Sequence, residues 1–146
     1  MTIPGVVIEA ERELLAPPED VWALLAEPRH LSDWWPGYTT IRPDRRGFTT
    51  GARWQVVRGG GAGLLRKPGG EGLIVITAVD RGRRLAWHDV QQRFDAAIEI
   101  EGAGRHTEAR AVVEASWWRI RVEGLRRAPG EALSRLHALC QTAAGL

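Results

Sequence analysis

Apolar and polar positions along this chain change their period twice. Over residues 6–15 they alternate. Val6, Ile8, Ala10 and Arg12 fall on one side, and Val7, Glu9, Glu11 and Glu13 on the other, which predicts a half-buried strand. Pro17 and Pro18 stop it. Glu19 and Asp20 follow, where the first turn of a helix favours acids, and Val21, Trp22, Leu24 and Leu25 supply that helix with an apolar stripe. Pro28 ends it. A second short helical piece over 28–34 carries Leu31 and Trp34, with Trp35 beside them, and closes at Pro36-Gly37.

Beyond Gly37 the period is two. Strands are predicted over 38–43, 52–58, 72–80, 84–90, 93–101 and 106–117, joined by short connections rich in turn residues. Such connections suit antiparallel neighbours, since a parallel pair needs a crossover of about a dozen residues. Residues 59–72 form one longer glycine-rich loop, a candidate lid. Helical spacing then returns: Trp118, Val122, Leu125, Pro129, Leu133, Leu136, Cys140 and Ala143 fall on one stripe. Pro129 can open a helix running to about residue 144, or kink a longer one that begins near Trp118. Both remain open. The element order is that of an α+β domain.

Composition narrows the class. A chain of 146 residues, 44% hydrophobic and 26% charged, is the size and make-up of one folded domain, 1–146. A lone cysteine, Cys140, excludes a disulfide framework and multi-cysteine metal sites. No apolar run approaches the ~18–20 residues of a membrane span, and the first residues carry no signal-peptide pattern, so a cytoplasmic protein is expected. The net charge is +2, and all cations but Lys67 are arginines interspersed with acids, which argues against a nucleic-acid partner. A monomer or homodimer is expected.

Four stretches carry a family resemblance. They are Ala16-Pro17-Pro18-Glu19-Asp20-Val21-Trp22-Ala23-Leu24-Leu25, Trp34-Trp35-Pro36-Gly37, Gly51-Ala52-Arg53-Trp54 and Arg83-Arg84-Leu85-Ala86-Trp87. Together they resemble the START-like, or SRPBCC, superfamily with its helix-grip fold, in particular its bacterial polyketide cyclase/dehydrase-like branch. The resemblance spans residues 6–144. It implies a seven-stranded antiparallel sheet gripping a long C-terminal helix, two short helices after the first strand, and a deep apolar cavity between sheet and helix. It specifies a fold better than a reaction.

Side-chain size points to the same cavity. In the last strand Thr107, Ala109, Ala111, Val113, Ala115 and Trp117 alternate with a charged set and should face inward. Three of these six are alanines, which must meet large side chains or leave room for a ligand. Phe94, Ala96, Ile98 and Ile100 share one face of their strand; Leu85, Trp87 and Asp89 share another; Trp54, Val56 and Arg58 a third. The expected ligand lining is therefore Trp34, Trp35, Trp54, Trp87, Phe94, Ile98, Ala109, Ala111 and Trp117. On a helix Trp34 and Trp35 cannot face the same way, so one of them should cap the cavity mouth. Trp117 and Trp118 should divide likewise between core and rim, and Trp22 should pack in the core. Asp89 and Arg58 would be polar groups in an apolar space, suited to a ligand's polar end; alternatively both lie at strand ends where water reaches them.

Familiar catalytic groupings are missing. No serine sits in G-x-S-x-G, and His30, Ser32 and Asp33 are close in sequence but weak as a triad. The histidines lack metal-ligand spacing, His88 should point outward, and Cys140 should be an inert buried thiol, so neither metal nor cofactor is expected. The glycine run 59–63 lacks the helix and the lysine of a phosphate loop. What remains is a binder of a hydrophobic small molecule such as a lipid, a quinone or a polyketide. The alternative is a polyketide cyclase, aromatase or dehydratase, with Asp89 as base, Arg58 holding an enolate or carboxylate and Tyr38 donating a proton. A protein-interaction role like that of the Hsp90 co-chaperone activator, which some START-like domains resemble, comes last, because no exposed hydrophobic stripe is expected.

Overall fold

The computed structural model describes residues 5–58 and 70–144. Seven strands form one antiparallel sheet: β1 (Val6–Leu14), β2 (Tyr38–Arg42), β3 (Arg53–Arg58), β4 (Gly70–Asp80), β5 (Arg84–Asp89), β6 (Phe94–Ala103) and β7 (His106–Ala115). Their spatial order is β1-β7-β6-β5-β4-β3-β2, so the first and last strands are neighbours, with Val6 opposite Ala115 and Leu14 opposite Thr107. Between β1 and β2 lie α1 (Pro18–Ala26), a 3-10 turn (Pro28–His30) and α2 (Leu31–Trp34). After β7 come α3 (Trp117–Val122), a 3-10 turn (Leu125–Arg127) and α4 (Ala128–Ala144). This is the helix-grip arrangement that the resemblance implies. The candidate lid lies, over 59–69, outside the described residues; its last part, from Gly70, belongs to β4.

Local chemistry explains the boundaries. Pro17 is extended and Pro18 opens α1, with Glu19 and Asp20 in its first turn; Glu27, extended before Pro28, ends it. On β7 the small set Thr107, Ala109, Ala111, Val113 and Ala115 is buried. Thr107 donates its hydroxyl to the Ala16 carbonyl at 2.8 Å, which ties β7 to the turn after β1. Helix α4 lies across β1 and β7 and buries Ala132, Leu133, Leu136 and Cys140. Alanines beneath a helix allow its backbone to come close to the sheet.

Three expectations need correction. Of the two readings of the C-terminal helix, the one opened at Pro129 holds, since α4 begins at Ala128 and runs to Ala144, and the longer helix from near Trp118 kinked at Pro129 does not. Gly124 adopts the left-handed conformation, φ 66°, and separates α3 from the 3-10 turn that leads into α4. The expected stripe therefore breaks, and Trp118 and Val122 are exposed. Trp117 is not an inward residue of β7 either. The strand ends at Ala115, Trp117 opens α3, and its side chain is 63% exposed. An exposed apolar patch thus exists where none was expected. Finally, Trp34 and Trp35 are both buried, because α2 ends at Trp34 and Trp35 is extended (φ −90°, ψ 124°), which frees it from the helical direction.

Candidate functional site

One end of the sheet gathers three polar residues, Tyr38, Arg58 and Asp89. Tyr38 is the first residue of β2 and Arg58 the last of β3, and they are cross-strand partners. Asp89 is the last residue of β5. The Tyr38 hydroxyl donates to Asp89 Oδ2 at 2.7 Å, and Arg58 Nη2 forms an ion pair with Asp89 Oδ1. The Gln92 backbone N–H donates to the same Oδ1 at 2.8 Å. Asp89 is 0% exposed and the Arg58 side chain 17%, so water at the strand ends does not solvate the carboxylate. Its compensation comes from three donors instead. Burial first, and the Asp89 carboxylate next, hold the Tyr38 phenol well above its ordinary pKa of 10.0. The phenol is a neutral hydrogen-bond donor at physiological pH.

The turn after β5 also belongs to this cluster. Asp89 closes the turn onto the N–H three residues on, and Arg93 takes a positive φ of 53° to start β6. The Gln92 amide reaches out to Glu123 Oε2 at 2.8 Å, which fastens α3 to the same end of the sheet. Gln91 Oε1 accepts from the Leu73 N–H at 2.7 Å. Gly72 leaves space for the guanidinium: a Cβ there would stand 3.0 Å from Arg58 Nη2. An Asp at a strand end followed by Val-Gln-Gln-Arg is a recognisable turn, but its long-range partners are not local information.

Beside the polar cluster lies a closed aromatic group. Trp87 meets Trp34 edge to face at 5.8 Å between centroids and Trp35 at 5.0 Å, while Trp35 stacks on Phe94 at 6.1 Å. The Nε1 atom of Trp34 and Arg58 Nε are buried without a hydrogen-bond partner, whereas the Trp87 indole N–H is turned toward the Tyr38 hydroxyl. Ile98, next to these on β6, is buried, and Ala109 and Ala111 are buried on the half of the sheet under α4. Trp54 joins a different group. It packs with Phe48 at 6.2 Å, Phe48 meets Trp22, and Trp54 Nε1 donates to the Gly47 carbonyl at 2.8 Å. Trp117 is outside the inner face altogether.

The remaining candidates are separate. The His30 ring faces the Leu24 carbonyl at 3.3 Å and Ser32 donates to the Arg29 carbonyl, so backbone groups occupy both. His88 lies outward against Asp95. Cys140 is buried beside a hollow of about 350 Å³ walled by Leu15, Pro17, Ala23 and Leu24; burial, then Asp20, pushes its thiol pKa up. No group of three metal-ligating side chains occurs among the described residues. No helix among them is long and apolar enough to cross a membrane.

Comparison with known proteins follows the architecture. The family described as polyketide cyclase / dehydrase and lipid transport matches residues 5–140. Among solved structures, protein NE0264 from Nitrosomonas europaea is similar at 21% identity, with 97% of each chain covered and a TM-score of 0.74. Protein Ms6760 from Mycobacterium smegmatis is similar at 20% identity, covering 94% of this chain and 92% of that one, with a TM-score of 0.71. A point mutant of norcoclaurine synthase from Thalictrum flavum, in complex with a transition-state analogue, shares 18% identity over 98% and 99% of the two chains, with a TM-score of 0.65. At these identities the likeness shows the fold alone. No curated protein matches the chain.

Proposed function

Because the chain belongs to the polyketide cyclase / dehydrase and lipid transport family, we propose that it binds a hydrophobic small molecule between the sheet and α4. A lipid, a quinone or a polyketide-like compound fits this reading. One observation carries it: two buried N–H donors, on Trp34 and Arg58, lack partners next to an aromatic face. A buried donor left unpaired costs ~1–3 kcal/mol, which a ligand's carbonyl or similar acceptor would recover. The ligand's apolar body would lie against Trp34, Trp35, Trp87, Phe94 and Ile98, with Ala109 and Ala111 on the helix side and Trp54 at the far wall. Its polar end would meet the Tyr38–Asp89–Arg58 cluster.

Native mass spectrometry of the protein as purified would show a carried ligand directly. Titration with quinones, fatty acids and aromatic polyketides should quench tryptophan emission saturably below ~100 μM, roughly 5.5 kcal/mol of binding. A panel that leaves the emission unchanged overturns the proposal.

The polar cluster favours a second reading, turnover of a polyketide-like chain. Held between the sheet and α4, a flexible substrate would gain up to ~7–11 kcal/mol from positioning alone. Asp89 would take a proton, Arg58 would hold the enolate or carboxylate that results, and Tyr38 would return a proton through its hydrogen bond. Asp89→Asn should then abolish turnover while ligand-induced quenching persists. Equal turnover in variant and wild type would remove Asp89 from the mechanism.

A further inference from the structure

The patch on α3 is used by neither reading. Trp117 is 63% exposed, Trp118 45% and Val122 70%, three large apolar side chains on one six-residue helix. Arginines surround them. Residues 117–127 hold Arg119, Arg121, Arg126 and Arg127 against a single acid, Glu123. Arg119 lies 4.2 Å above the Trp118 ring and pairs with Glu123. Arg121, Arg126 and Arg127 are exposed and make no ion pair among the described residues. They rim a hollow of about 550 Å³ whose floor is Val6, Trp117 and Ile120.

We propose that this face docks on the surface of an anionic lipid bilayer. Indoles partition to the headgroup level, where the ring is apolar and the N–H is wet. Guanidinium groups pair bidentately with phosphate, and the arginine-rimmed hollow has an apolar floor and a cationic edge, the polarity of a lipid headgroup region. A second copy of the chain fits less well, because a two-fold contact would bring the unpaired arginines of both copies together. A nucleic acid would use the arginines and indoles but offers nothing to Val122, the most exposed of the three apolar groups. The proposal rests on α3 and its flank, so it stands or falls independently of what the inner face binds.

Flotation of the full chain with vesicles tests it. One set is phosphatidylcholine alone, the other an equimolar mixture with phosphatidylglycerol. Binding should be at least about tenfold tighter to the anionic vesicles and weaken as salt is raised. Attraction of about fivefold per arginine implies a loss on the order of 100-fold when Arg121, Arg126 and Arg127 are all changed to alanine. These side chains are exposed, so the melting temperature should stay within a few degrees of wild type, and circular dichroism checks this. Brominated acyl chains should quench emission in the wild type. Trp117→Phe with Trp118→Phe should still float yet lose that quenching, because the five remaining tryptophans lie elsewhere. Equal binding to both vesicle types, an arginine variant that floats like wild type, or quenching that survives the double Phe variant would each overturn the proposal. So would binding to an oligonucleotide, or a tryptophan-dependent dimer, without vesicle binding.

Discussion

Tyr38 is the sole tyrosine of the chain, and its environment makes it a reporter of the polar cluster. Its folded pKa is raised, so above the unfolded value of about 10 the native state keeps a proton that the unfolded chain has lost. That contribution to stability is complete below pH ~10 and disappears as pH climbs toward the folded pKa. Denaturant midpoints measured across the alkaline range should fall in the wild type and fall less in Tyr38→Phe. At neutral pH the same variant should lose about 1–1.5 kcal/mol, since Asp89 gives up one of its three donors. Strand parity in the sequence already placed Asp89 and Arg58 on the inner face. Their meeting depends on the register across β3, β4 and β5, where Trp54 faces Ile74 and Ile74 faces Asp89, and no local pattern encodes that. Gln92 stayed invisible for a related reason. Its role comes from a backbone N–H and from Glu123, 31 positions away in the chain.

At the scale of elements, strands were the most legible, since an alternation of two survives errors of a residue at either end. Helices were harder. The three-and-four spacing through Trp118, Val122, Leu125 and Pro129 runs across Gly124 as though the helix were continuous, yet one left-handed residue resets its phase. Gly124→Ala should therefore cost about 1–2 kcal/mol through the backbone alone, because nothing stands within 4 Å of the added Cβ. Asn at that position should restore part of the loss, as thermal melts of the pair would show. The aromatic group is the opposite case, a matter of packing. Trp87 contacts both Trp34 and Trp35, so Trp87→Ala should lower stability by about 3–5 kcal/mol, more than any change on the exposed face of α3. A chemical denaturation curve with an unchanged slope and a lower midpoint is the expected result.

For the whole molecule, the open sheet pairs its first and last strands in sequence: the edge strand β1 has one neighbour, β7, and without it would be a lone strand. Deleting residues 1–14 should leave β7 with an unpaired edge and α4 with part of its seat missing, and the product should collect in the insoluble fraction. The order of synthesis adds a constraint of its own. β1 leaves the ribosome first, but β7 begins about 90 residues later, a delay of roughly 5–20 s at ordinary elongation rates. Throughout that interval the nascent β1 has no partner strand. Its Glu9, Glu11, Arg12 and Glu13 then act as gatekeepers, keeping an exposed β-former soluble until its match has been translated.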